Sequence, residues 1–298
     1  MDLLYENLLI RRKVLKIVKV LVLLVCILFT GCREYGEKRI VSTVVVDNDK
    51  VLLYYYDFSQ ENPVFLKEEK QNTGIENTLT DLLSHNDYNL KLCKYAVVSE
   101  DIVDGRINEM FYALTDNRFA TDVVIIEGDT GLSAEDYEKI NKKDYPVYNY
   151  RVKNNSINAV VEKMSSEEKK IIIENKTYRE LDSSQSFVFD VITNVSDGGN
   201  YIIKHNEKTI AAELEKPDTF FHIKNNILYM NITAVLKSYK GVPADIYNKE
   251  WVRSLLEKDM YYQVKNLIED KIITENFDLI WYEKAGSFND IKIEVNIL

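Results

Sequence analysis

The residues able to carry chemistry are few and scattered. His85, His205 and His222 lie far apart, and no HExxH, CxxC or HxH spacing links them to one another or to a cysteine. Zinc needs three or four ligands at fixed spacing, so the sequence offers no metal site. Neither a GxSxG turn, a phosphate-binding glycine loop nor a dinucleotide fingerprint occurs among the 10 glycines. Asp122, Glu127 and Asp129 bracket one short apolar run. They are the one place where paired carboxylates can do general acid and base work or hold a cation. On so acidic a chain, carboxylates at strand ends read first as solvated groups. Cys93 lies within the strand-like run Leu90 to Val98, where a free thiol behaves as a small buried hydrophobe. The reading is of no catalytic residue, no cofactor site and no metal ligand.

Cys32 is the exception. Residues 1–31 begin with the basic positions Arg11, Arg12, Lys13, Lys16 and Lys19, continue through the uncharged run Val20 to Thr30, and end at Gly31. This is the layout of a secretory signal peptide. The uncharged run is well short of the roughly 20 residues that a permanent spanning helix needs. Leu28-Phe29-Thr30-Gly31-Cys32 resembles a bacterial lipobox, in which the cysteine thiol takes a diacylglyceryl group. Two acyl chains hold a protein at a bilayer where one binds only marginally. Cys26 leaves with the signal and Cys32 is lipidated, so Cys93 is left alone and no disulfide framework is expected.

The elements that must position any surface follow from periodicity. The chain is 46% hydrophobic and 29% charged with 4 prolines, enough to bury a sizeable core in one or two domains. Its net charge of −10 and pI near 5.0 argue against nucleic acid, which needs a clustered basic face. Removing five basic and two acidic residues with the signal leaves −13. Ile40 to Val46 and Val51 to Phe58 form a hairpin around Asp47 to Lys50, and Glu61 to Asn77 reads as a loop. Thr78 to Leu83 and Asp104 to Leu114 read as helices, Cys93 to Val98 and Val123 to Ile126 as strands. Ser133 caps a helix with Asp136 at its third position. A helix is expected over Asn158 to Met164, an extended stretch at Tyr145 to Tyr150, and a domain boundary in the turn-rich stretch Ser196 to Asn200.

Beyond that stretch, Thr209 to Leu214, Phe220 to Ile223 and Ile227 to Leu236 read as strands. Residues 248–273 read as one amphipathic helix capped by Asn248, in which Trp251, Leu255, Tyr261, Val264, Leu267, Ile268 and Ile272 recur and the face of Trp251, Leu255, Val264, Leu267 and Ile268 packs on a sheet. Phe277 to Tyr282 and the alternating Ile291, Ile293, Val295 and Ile297 give two last strands. The class is α+β, with two or more mixed subdomains, antiparallel-rich sheets and few βαβ units. The expected organisation is a signal peptide at 1–31, an N-terminal region at 32–195 and a C-terminal domain at 196–298. Tyr54, Tyr55 and Tyr56 put at most two rings on one strand face, so core and surface packing is preferred to a sugar platform for them and for Trp251 and Trp281.

The order of these pieces resembles the Ger(x)C lipoproteins, the C subunits of nutrient germinant receptors in spore-forming bacteria. Cys32-Arg33-Glu34 followed by Glu37 through Asp47 is similar to that family's opening, where the lipidated cysteine precedes an acidic residue and a strand ending in Asp. Val51 to Pro63, Lys94 to Glu100, Leu114 to Ile126 and the long helix followed by Phe277-Asp278 look like its successive elements. Arg33-Glu34 stands where the family commonly has Trp-Asp, and the His usual before the Lys94 strand is absent. The resemblance implies a non-enzymatic subunit on the outer face of the spore inner membrane. It would be held there by lipidated Cys32 and work with membrane-embedded A and B type subunits. The alternatives are an extracytoplasmic solute-binding or adhesive lipoprotein and a carboxylate-using surface hydrolase.

Overall fold

The computed structural model describes residues 39–298 apart from 60–61, 85–87, 116–122, 141–150, 154–155, 165, 206–207, 242–248, 278–287 and 289. The signal segment, Cys32, Asp122, Asn248, the stretch 145–150 and most of the strand expected at 277–282 lie outside these residues; Phe277 itself ends a helix.

The first sheet grows from the hairpin of β1 (Arg39–Val46) and β2 (Lys50–Asp57), as expected. β3 (Val64–Gln71) continues it on the edge, where a loop was expected. Its run Lys67-Glu68-Glu69-Lys70 is polar because an edge strand faces water and blunts pairing with charge. After α1 (Ile75–Ser84) and the short β4 (Tyr88–Asn89), β5 (Tyr95–Val98) enters parallel to β1. The helix expected over Asp104 to Leu114 is two helices, α2 (Glu100–Gly105) and α3 (Ile107–Leu114), because Arg106 leaves helical geometry at φ −134° and ties to Glu109. β6 (Val124–Glu127) then pairs parallel with β5, completing a β-α-β crossover.

Ser133 caps α4 (Ala134–Ile140): its Oγ accepts from the Asp136 amide at 3.2 Å and donates to the Asp136 carboxylate at 2.7 Å. β7 (Arg151–Lys153) precedes β8 (Ser156–Lys163), a strand where a helix was expected. Its stretch from Ile157 to Glu162 is buried without alternation, so periodicity did not distinguish the two. β9 (Lys169–Ile173) and β10 (Lys176–Leu181) form a hairpin whose turn residues Glu174 and Asn175 have φ of 52° and 66°. That geometry is the type I′ turn that matches strand twist. The strand order is β10-β9-β8-β6-β5-β1-β2-β3, with β4 pairing with β1 and β7 with β8.

α5 (Ser183–Ile192), capped by Asp182, leads to the second sheet, ordered β11-β12-β13-β14. β11 (Gly198–His205) starts at a glycine with φ 128°, where a Cβ would lie 2.5 Å from the Leu214 carbonyl oxygen. The two short strands expected at 209–214 and 220–223 are one, β12 (Lys208–Lys224), bent at a bulge around Lys216 and Pro217. β13 (Ile227–Lys240) follows. α6 (Lys249–Glu269) ends at Asp270 rather than at residue 273, and α7 (Lys271–Phe277) follows. At the break the Asp270 carboxylate caps the next helix by accepting from the Ile273 amide, and it also accepts from Tyr178 Oη at 3.1 Å and from Arg179 at 3.5 Å, so β10 holds the joint. β14 (Asp290–Ile297) closes the sheet parallel to β13.

The protein is α+β with sheets of mixed orientation. α1, α2 and α3 cover one face of the first sheet, with Ile102 and Met110 in one core with Val44 and Leu53, and α4 covers the other, with Tyr137 against Tyr54. α5 and α6 cover one face of the second sheet, and their core reaches Val160 and Ile171 of the first.

Candidate functional site

Parallel strands β1, β5 and β6 end side by side, the arrangement at whose carboxyl edge open α/β sheets take ligands. Asp47, directly after β1, accepts from the Asn48 amide at 2.7 Å and from Thr130 Oγ1 at 2.6 Å. Burial works to raise its pKa, but the Thr130 hydroxyl and the Asn48 amide outweigh it and hold the carboxyl below its ordinary value. A depressed carboxyl contributes stability above its unfolded pKa, and that contribution is lost as the pH falls through the folded value. Thr130→Val is therefore expected to raise the Asp47 pKa and to move acid unfolding to higher pH, read by carboxyl NMR titration and circular dichroism.

Of the three carboxylates singled out in the sequence, Asp129 is exposed and turns back on its own loop, its Oδ1 accepting from the Gly131 amide at 2.8 Å. Glu127 lies 2.9 Å from the ammonium of Lys170. Lys170 is 1% exposed, and its Nζ also lies 3.4 Å from Glu100 and Asp104 and 3.8 Å from Glu180. Burial pushes the Lys170 pKa down, yet the carboxylates around it, Glu127 first, keep it protonated and raise the pKa above the ordinary value. A carboxylate fixed against an ammonium is a poor general base. The cluster ties β6, α2, β9 and β10 together.

Lys169, the preceding residue on β9, points to the other face and is equally enclosed. Its Nζ lies 2.8 Å from Glu162 of β8 and 3.1 Å from Asp190 of α5. Beside this triad an open cavity of about 360 Å³ runs along the seam between the sheets, with Phe187, Ser183 and the backbone of Gly198 and Gly199 on its far wall. Neither buried lysine was singled out in the sequence. Both lie in the stretch Ser165 to Ser186, which reads as charged and without a clear element, and the only local clue is that Ile171-Ile172-Ile173 follows.

The other candidates are dispersed. His205 meets the Trp251 ring edge to face at 5.6 Å, while exposed His222 stacks on Tyr229 at 5.0 Å; His85 lies outside the described residues. Among the described residues no group of three or more His, Cys, Asp or Glu is placed to hold a metal ion. Cys93 is buried, its Sγ 3.5 Å from the Tyr95 carbonyl, and burial pushes the thiol up to about 12. A thiol of that pKa is unreactive at neutral pH. Tyr54 and Tyr55 point to opposite faces and are core residues, the first against Tyr137 and the second against Tyr88. No helix among the described residues is long and apolar enough to cross a membrane.

No protein-family model and no curated protein matches this sequence. Among solved structures the chain is similar to the crystal structure of the GerBC protein, at 13% identity and a TM-score of 0.42, covering 84% of this chain and 94% of that one. It is also similar to the type II variant of the Aquifex aeolicus Ppx/GppA phosphatase, at 13% identity and a TM-score of 0.21, over 52% of this chain and 55% of that one.

Proposed function

We propose that the chain is a lipid-anchored subunit of a spore nutrient germinant receptor, held to the outer face of the membrane by Cys32 and acting through contacts with membrane-embedded A and B type subunits, without catalysis of its own. The observation that carries this reading is the succession behind the lipobox-like Cys32: the strand β1 followed directly by Asp47, its hairpin, the strands β5 and β6, and a closing helix and alternating strand. Acyl chains have to supply the attachment, because an acidic body is repelled by an anionic membrane surface. Charge then steers and excludes partners, while apolar and hydrogen-bonding contacts hold them.

Cys32→Ala is expected to leave the chain unlipidated and to move it from the membrane fraction to the soluble fraction of a host with lipoprotein processing. A variant still cleaved after residue 31 and still membrane-bound would sink the anchor. Deleting the gene in a spore-forming host is expected to slow germination with one class of nutrient and to leave growth and sporulation intact. Unchanged germination across amino-acid and sugar triggers would overturn the receptor role. The seam cavity beside Lys169 favours the solute-binding alternative, whose sign would be a thermal shift with a small polar solute.

A further inference from the structure

β14 is the outer strand of the second sheet, and its sequence is unusually well suited to meeting itself. Its eight residues, Asp290-Ile291-Lys292-Ile293-Glu294-Val295-Asn296-Ile297, contain no proline or glycine, and its pairing with β13 runs without a bulge. Leu298 exchanges both backbone groups with β13, its amide reaching Ala234 and its carbonyl accepting from Leu236. Alternation along a strand then turns the amides and carbonyls of Ile291, Ile293 and Val295 outward. At Ile297 the outward amide is taken by Glu257 of α6. The three outward positions nearer the centre have no backbone partner among the described residues.

We infer that two copies of this chain associate through β14, edge to edge and antiparallel, about a twofold axis at Ile293. In that register Ile293 faces Ile293 of the second copy and Ile291 faces Val295. These are the outward-turned residues, so the hydrogen-bonding parity is correct without adjustment. Lys292 then faces Glu294 on the opposite, solvent-facing side, and the axis repeats the pair. Both side chains are exposed, the Lys292 ammonium lying 5.4 Å from the Tyr229 ring centroid on its own sheet. Slipping the register by two residues either way sets Glu294 against Glu294 or Lys292 against Lys292, so charge selects one alignment. The edge of the first sheet behaves differently: successive Lys67, Glu68, Glu69 and Lys70 put charge on both faces of β3. β14 carries only isoleucine and valine on its core-facing side through Val295, and pairing would extend four strands to eight through an isologous contact.

The test is sedimentation of the full chain in detergent across a concentration series, with circular dichroism to check folding. The wild type is expected to dimerise. Lys292→Glu and Glu294→Lys each replace two attractive contacts by two repulsive ones and are expected to weaken dimerisation about tenfold. The double variant K292E/E294K restores complementarity and is expected to recover the dimer. A monomeric wild type, a dimer indifferent to both single changes, or a double variant no better than either single one would overturn the inference.

Discussion

Lys169→Met is expected to destabilise the fold by about 3–5 kcal/mol, the cost of leaving a buried charge uncompensated. The lysine side chain is 4% exposed and its carboxylate neighbours Glu162 and Asp190 are 5% and 13% exposed, so both lose much of their compensation once the ammonium is gone. The triad joins β8 and β9 of the first sheet to α5, which packs on the second. Its loss should therefore weaken the seam before either sheet. Urea unfolding followed by far-ultraviolet circular dichroism gives the magnitude, and hydrogen exchange at α5 shows where it falls. The companion variant Lys169→Met with Glu162→Gln and Asp190→Asn removes all three charges and is expected to recover part of the loss. A single variant within 1 kcal/mol of wild type would show that the ion pairs do not hold the seam.

Leu267→Ala on α6 is expected to cost roughly 2–5 kcal/mol through lost burial and the cavity it leaves. Leu267 is 0% exposed, as are Val252, Leu256, Met260 and Val264 on the same face. Tyr262, 51% exposed on the opposite side, should change stability by no more than about 0.5 kcal/mol when cut to alanine. The adjacent pair Leu255 and Leu256 separates the two readings of this helix. Leu255, on the stripe expected from the sequence, is half-buried, whereas Leu256 is fully enclosed. Denaturant midpoints of Leu256→Ala below those of Leu255→Ala would confirm the face; the reverse order would refute it.

What was legible in the sequence is what local pattern alone specifies. The β1–β2 hairpin follows from β-branched and aromatic runs around Asp47-Asn48-Asp49, and the α4 cap from Ser133 and Asp136. Strand β14 follows from strict alternation, and the burial of Cys93 from its apolar run. The long C-terminal helix was legible in its existence. Of its expected face Val264, Leu267 and Ile268 are buried as read; in the first half of the helix the sheet beneath encloses Val252, Leu256 and Met260, and Trp251 and Leu255 pack at the margin of the same core.

Tertiary structure decided the rest. β3 looked like a loop because its partner β2 supplies the pairing that its polar side chains do not advertise. β8 looked like a helix because burial on both sides erases the period of two. Where the last helix splits, the Asp270 carboxylate that caps Ile273 is also held by Tyr178 and Arg179, more than 90 residues away along the chain. The two lysines of β9 stand furthest from anything a linear reading can reach. Side by side in a charged stretch of sequence, in space they point to opposite faces, each enclosed by carboxylates from other elements. A charge can be buried only where opposite charges converge on it, and that convergence is a property of the assembled sheets, whereas a turn, a cap or an alternating strand is already specified by the few residues that form it.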